Sequence, residues 1–418
     1  MISSINLKPN NMLKKSALML SVLIISQLFL SEDCNAQGNK EILLLNARLI
    51  DGSGNDAKEG VSILIANSRF EKIYSESFVP DASVEVIDLK GKTVIPGLID
   101  AHYHMNYPDF SDKPLMLNEA ICAYRSVPYL KKHLMGGITT IFDAGGYHNT
   151  TIMAKKAFRE GYLTGSRPIV CGERINGTGG HGVSRFDMAT EADGPHEFRK
   201  AVREQLYAGA DIIKILPPYS RAELEAAIEE THLHQKRVAV HSGIYNKQYQ
   251  FIRWAVDLDA DIIMHAYALP DDVIRQMGEK GIYSVPTMTI MMKNQLRDRF
   301  DPNNKELHEY EIIFRKLRDA GVKMAIGTDA LYEFMRENPE LYFLEVERFV
   351  KNGYSPMQAI ESATRIGAET LGIDSYLGTI EEGKLADLIV VEGDPLNDIR
   401  ELRNVVMVIQ NGIIVKGL

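Results

Sequence analysis

The sequence predicts an α/β fold: a (β/α)8 TIM barrel carrying a small β-sandwich domain built from both termini. Three observations predict it. In the middle of the chain a short apolar, strand-like run and an amphipathic helical pattern alternate eight times. Both ends are rich in short β-type runs broken by Gly, Asn, Asp and Pro. The chain of 418 residues is long enough for one large barrel and an accessory domain.

The first element is not structural. Lys14 and Lys15 precede an apolar run from Leu18 to Leu30, and Cys34-Asn35-Ala36 supplies small residues before Gln37. That pattern reads as an export signal over residues 1–36, with a signal anchor as the plainer alternative. The run is shorter than the roughly 20 residues a membrane span needs, so no stable span is expected after signal removal. Glu32 and Asp33 directly before Cys34 argue against a lipoprotein. Expected strands then follow at 41–50, 61–66, 69–74 and 84–89, and again at 386–395 and 404–417. The last contains Asn411-Gly412 between two β-branched runs, a strong hairpin signal. Residues 37–93 and 378–418 are therefore assigned to the β-sandwich domain and 94–377 to the barrel.

Within the barrel the expected strands are 94–99, 139–143, 168–172, 211–216, 237–241, 261–265, 282–287 and 322–327. The expected helices are 118–135, 152–160, 196–208, 221–235, 247–258, 271–280, 305–319 and 340–351, with a further one over 357–371. Composition excludes some functions. The net charge is −9 and no stripe of Lys and Arg exists, so nucleic acid is not an expected partner. Cys122 and Cys171 remain after the signal and read as buried thiols, not a disulfide framework.

Chemistry is expected at the C-terminal ends of barrel strands. The stretch VIPGLIDAHYHM ends the first strand with His102 and His104 on one face, either as polar caps or as a metal pair. Lys214 lies in the fourth strand, His241 and His265 end the fifth and sixth, and Asp329 follows the eighth. Each has an ordinary alternative: a lysine reaching water, hydrogen-bonded core-edge histidines, a helix cap. Four of 11 histidines falling at such ends, with a lysine and an aspartate, is the stronger signal.

The stretches PGLIDAHYH, GGITTIFDAGG, NGTGGHG, GADIIKI, AVHSG, IIMHA and AIGTDA, with the tail LGTIEEGKLADLIVVEGDPL, resemble the amidohydrolase superfamily, in particular its imidazolonepropionase-like and metal-dependent prolidase branch. The resemblance covers roughly residues 40–418. It implies one or two divalent metal ions, with His102, His104 and Asp329 on the first and His241 and His265 on the second. It implies Lys214 as the bridge, carboxylated by carbon dioxide. A lysine among cations in a dry site favours its neutral amine, which can form an anionic carbamate. Zinc suits the donors, with manganese, iron or cobalt as alternatives. A bound water with its pKa lowered to about 7 would be the nucleophile. Asp329 would act as general base and then general acid.

At this barrel position the loop NGTGGHG faces the metals the resemblance implies and puts His181 where it can hydrogen-bond the substrate, with a merely flexible loop as the alternative; Tyr245, just after strand five, either polarises the carbonyl similarly or packs on the barrel rim. Arg174 and Arg185 flank the same loop and read as solvated surface charges, with a carboxylate clamp as the alternative. Strand five ends His-Ser-Gly and strand six Met-His-Ala, which depart from the branch's second histidine and Glu-His-Gly. The resulting expectation is an exported, periplasmic or secreted, metal-dependent hydrolase of small-molecule amides, a prolidase-like dipeptidase, with a homo-oligomer compatible with it. Attack on a cyclic amide, a non-catalytic binding barrel, and a lyase or isomerase on the same scaffold are the alternatives.

Overall fold

The computed structural model describes residues 41–75, 78, 84–108, 117–181, 188–243, 249–265, 267–294, 299–300, 305–331 and 333–418. The segment expected to be an export signal lies outside the described residues, as do Arg185 and Tyr245. Among the described residues no helix is long and apolar enough to cross a membrane. Cys122 and Cys171 are buried and form no disulfide among the described residues.

The strands in chain order are β1 (Ile42–Leu49), β2 (Lys58–Ala66), β3 (Arg69–Tyr74), β4 (Glu85–Asp88), β5 (Thr93–Pro96), β6 (Leu98–Tyr103), β7 (Ile138–Asp143), β8 (Arg167–Val170), β9 (Arg174–Asn176), β10 (Ala189–Glu191), β11 (Ile212–Ile215), β12 (Arg237–His241), β13 (Ile262–Met264) and β14 (Tyr283–Val285). A short pair, β15 (Lys293–Asn294) and β16 (Arg299–Phe300), precedes the last three, β17 (Leu388–Val391), β18 (Val405–Gln410) and β19 (Ile413–Lys416). The two ends of the chain share one eight-stranded sheet, ordered β19-β18-β17-β5-β1-β2-β3 with β4 beside β1. Its core holds Leu44, Ile63, Val94, Val390 and Ile409, all fully buried, each contributing about 1.5–3 kcal/mol by leaving water. The hairpin at Asn411-Gly412 forms as expected, with φ of 51° and 72° at its two central residues.

One expected strand is two. The apolar run 94–99 divides at Gly97. Before it, β5 pairs antiparallel with β17, Ile95 opposite Ile389. After it, β6 pairs parallel with β7. The Gly97 amide donates to Asp387 O at 2.9 Å while the next amide, Leu98, donates to Gly137 O at 3.1 Å. An unbroken apolar run hides this because both sheets bury it. The hand-over needs a residue without a side chain: a Cβ at Gly97 would stand 2.2 Å from Thr139 Oγ1.

The remaining long strands are parallel, in the orders β6-β7-β8 and β10-β9-β11-β12-β13-β14. Asp211 N donates to Val170 O at 2.8 Å and connects β8 to the start of β11. Residues 322–327, expected as a strand, are extended and held by single bridges, not a ladder: Ser284 to Met324 and, just beyond, Tyr103 to Ala330. Ala325 N donates to Ser284 O at 3.0 Å and Ala101 N to Ile326 O at 2.8 Å. Hydrogen bonds thus lead from β6 through β7, β8, β11, β12, β13, β14 and residues 323–329 back to β6. β9 and β10 were not expected; each has three residues, too short to carry a period. The helix expected over 357–371 is also two, Pro356–Ala363 and Arg365–Leu371, because Thr364 leaves helical geometry at φ −131° and ψ −90°. The first of these begins in a capping box at Ser355.

The helix Glu340–Lys351 braces the strand ends. Its Tyr342 hydroxyl donates to Ile99 O at 2.9 Å. Its fully buried Glu345 accepts from Met288 N at 2.8 Å, from Thr289 N at 2.6 Å and from the Thr289 hydroxyl. A carboxylate thereby pins the turn that follows β14.

Two outcomes follow from this packing. Gly97→Ala is expected to cost about 1–3 kcal/mol of stability through overpacking against Thr139, read from the urea midpoint. Thr139→Ala in the same chain should recover most of that loss; an unchanged midpoint for the single variant refutes the close approach. Burial pushes the Glu345 carboxyl up to about 7, against the pull of its Thr289 and Met288 hydrogen bonds. A folded value above the unfolded one stabilises the protonated fold. That contribution is complete below about pH 4 and is lost as pH rises through 7, at no more than about 1.4 kcal/mol per pH unit. The unfolding free energy of the wild type should therefore fall relative to Glu345→Gln between pH 5 and 8. A constant difference across that range contradicts the assignment.

Candidate metal centre

β6 delivers His102 inside the strand and His104 just past its end, and both are buried. Their position is set by two interior carboxylates. Asp100 accepts His102 N at 3.1 Å, Thr328 N at 3.1 Å and Thr328 Oγ1 at 2.7 Å. Asp329 N then donates to His102 O at 2.7 Å, which sets Asp329 beside the histidines. Asp143, at the end of β7, accepts Met105 N at 2.8 Å and Gly145 N at 3.1 Å. The same loop presents Gly145 O to His104 Nδ1 at 2.7 Å. A carbonyl only accepts, so Nδ1 of His104 carries a proton, and Nε2 is the nitrogen left to face the cluster.

That nitrogen faces Asp329 Oδ1 at 3.2 Å, and His102 Nε2 lies 3.4 Å from the same oxygen. Ligand atoms of His102, His265 and Asp329 all lie within 4.8 Å of one another. The ring of His265 is 4.7 Å from that of His102 and 4.3 Å from that of His241, centre to centre. Along β13 strict alternation would pair His241 with Met264; His265 leaves the strand with φ 72° and so joins the cluster. Asp329 and Thr287 also have positive φ, 51° and 53°. Such backbone is uncommon for residues with a Cβ and gathers where the surroundings force it. Thr287 Oγ1 lies 2.6 Å from His265 Nδ1 and fixes that ring.

Lys214 sits on β11 opposite Ala239 of β12, two residues before His241 on the same face. It is 2% exposed. Burial pushes its ammonium down to about 7. Burial, with the charges of Lys214 and neighbouring histidines, holds His102, His241 and His265 well below the ordinary imidazole range. They are neutral nitrogen donors at neutral pH. Lys214 Nζ, His241 Nε2 and His102 Nδ1 are buried with no hydrogen-bond partner among the described residues. Neutral imidazoles, an aspartate and a lysine near neutrality, with orphaned lone pairs between them, are a donor set that fits a divalent metal.

The structure thus gathers His102, His104, His241, His265, Asp329 and Lys214 at one end of the parallel strands. His181 stands at the edge, exposed, its ring stacked 5.5 Å from that of His241. Arg174 corrects an expectation: it is not a solvated charge but 3% exposed, because β9 folds it inward. Sequence reasoning passed over Asp100, Asp143, Thr287, Glu345 and Tyr267, whose ring stacks 4.7 Å from that of His265. Two of these left a trace. Asp100 interrupts an apolar run, and Glu345 falls four residues from both Leu341 and Phe349 on a buried helical stripe.

The chain matches the Amidohydrolase family over residues 93–415. The ochratoxinase of Aspergillus niger is 25% identical, over 90% of this chain and 87% of that protein. The imidazolonepropionase of Chromobacterium violaceum is 24% identical, over 83% and 90%. A crystal structure of a Xaa-Pro dipeptidase with methionine in its active site superposes with a TM-score of 0.80 at 29% identity, over 90% of this chain and all of that one. With residues 93–415 matched and the histidine, aspartate and lysine side chains gathered at one end of its parallel strands, the chain belongs to the amidohydrolase family.

Proposed function

We propose that this protein is an exported amide hydrolase acting on dipeptide-like substrates from the mouth of a closed (β/α)8 barrel. The observation that carries the reading is the convergence on one face of four buried histidines, Asp329 and Lys214, whose Nζ has no hydrogen-bond partner among the described residues. The hydrogen bonds that return from residues 323–329 to β6 support the barrel. The charged start and apolar run of residues 14–30 support export. The likeness to a Xaa-Pro dipeptidase at 29% identity favours a dipeptide over a cyclic amide.

His102, His104 and Asp329 would hold one metal ion, and His241 and His265 a second, with zinc the best match to imidazole and carboxylate donors. Bound there, the metal supplies Lewis acidity toward the substrate carbonyl and acidity to a water molecule. Lys214 deepens the case for two ions. Its ammonium loses one proton near neutrality; the neutral amine would attack the carbon of carbon dioxide, a C=O π bond breaking as the N–C bond forms, and give up a second proton to water, and the resulting carbamate's negative charge would remove the repulsion an ammonium adds. Asp329 is placed to accept the proton of the attacking water at a carboxylate oxygen. It then returns that proton to the amide nitrogen as the C–N bond breaks, so the products are an acid and an amine. His104 is held by Gly145 O and His265 by Thr287, which keeps both rings from turning as charge moves. His181 hydrogen-bonds the substrate carbonyl from its place against His241.

The test is metal content per chain together with hydrolysis of a dipeptide panel. Asp329→Asn keeps a ligating oxygen and the shape, so metal content should stay near normal while kcat falls by about 10²–10⁴-fold. Lys214→Ala should lose metal first and activity as a consequence. Wild-type rates in Asp329→Asn, or no amide cleaved by the metal-loaded protein, would defeat the reading.

A further inference from the structure

Among the described residues Arg174 is a buried cation with no anion paired to it. It opens β9 and is 3% exposed. Its Nε and Nη2 both donate to one acceptor, Met188 O, at 3.3 and 3.1 Å. Its guanidinium lies over the Tyr107 ring, 5.4 Å from the centre. Its stem presses on Gly145, where a Cβ would meet Arg174 Cδ at 2.6 Å. That is the loop whose carbonyl orients His104. Among the described residues none of its nitrogens reaches a carboxylate. Asp143 is near enough to feel its charge, but both Asp143 oxygens are taken by Met105 N and Gly145 N.

A guanidinium has five N–H groups, and the Met188 carbonyl uses two of them. Removing such a charge from water is expensive unless an opposite charge meets it. The nearby Lys214 and the metal ions would add to the positive field. A planar fork with open N–H groups recognises a carboxylate through two parallel hydrogen bonds. Met188 O and the Tyr107 face hold the fork in place before a ligand arrives, so little ordering is left to do on binding.

We propose that Arg174 binds the free carboxylate of the substrate, so that the site selects amides whose amine half is an amino acid with an open carboxyl group. This rests on the amide-hydrolase reading, and it makes Arg174 the residue that separates such substrates from neutral amides. A bidentate charge-assisted pair is lost when Arg174 becomes Met; Arg174→Lys keeps the charge but not the fork.

Binding is measured by calorimetry with L-methionine and L-methioninol, which differ in the carboxylate and cannot themselves be cleaved at an amide. The wild type should bind L-methionine at least tenfold tighter than L-methioninol. Arg174→Met should bring that ratio to about one with metal content unchanged and the L-methioninol affinity within twofold. Arg174→Lys should fall between, and it carries the comparison if the Met variant does not fold. No preference in the wild type, equal weakening of both ligands in the variants, or metal loss in Arg174→Met overturns the proposal. The last outcome would mean that the guanidinium serves a carbamate on Lys214. A wild type that discriminates the two ligands but cleaves no dipeptide leaves Arg174 in place and defeats the hydrolase reading alone.

Discussion

The mouth of the parallel strands depends on Asp100. Its carboxyl is fully buried and takes three hydrogen bonds, one from the amide of its own strand at His102 and two from Thr328, 228 residues further along the chain. Burial pushes it up to about 7 while those donors pull it down. The bond from Thr328 fixes the level at which residues 323–329 meet β6. The next residue is Asp329, so a one-residue slip there would turn its carboxylate away from His102 and His104. Asp143 repeats the device one strand over, where it holds the loop that aims His104.

The cluster is a place where electrostatics and packing disagree in the absence of a cation. Nitrogens of two buried imidazoles crowd one carboxylate oxygen at 3.2 and 3.4 Å, and wherever such a nitrogen offers its lone pair, a cation must lie between it and the oxygen. The backbone bears its own cost at the same point, with positive φ at His265, Thr287 and Asp329. Each such residue is less stable than an extended one by roughly 1–3 kcal/mol. The brace from Glu345 to Met288 and Thr289 keeps the turn in that state. Site and brace are therefore linked: Glu345 holds the residues next to Thr287, and Thr287 holds the ring of His265 in the cluster.

Much of this was legible from residues alone because it repeats. The helices expected between 118 and 351 show their period over nine or more residues, and each lies within two residues of where the pattern puts it. Histidines at the ends of apolar runs marked the site, since burying an imidazole is otherwise unrewarded. What escaped detection had no period or looked apolar from both sides. β9 and β10 are too short to show a pattern. The break at Gly97 lies within a continuous hydrophobic run that serves two sheets. Arg174 looked like surface charge because inward folding of a three-residue strand leaves no mark in composition. Thr287 and Glu345 act through other residues, and their importance is a matter of contact, not of type.

The pairing of β5 with β17 has a consequence for how the chain is made. The Thr93 hydroxyl donates to the Gly393 carbonyl, 300 residues away. When β5 leaves the ribosome its neighbour on that side does not yet exist, and almost the whole parallel system must be synthesised before it does. The strand directly upstream of His102 therefore waits, with an open edge of valine and isoleucine, until Leu388–Val391 appear. Pairings so distant in sequence form slowly, and an unpaired apolar edge is prone to misassociation during that interval. Topology thus constrains the order of assembly: β17 acts as a latch, and β5 cannot be closed on that side before it arrives.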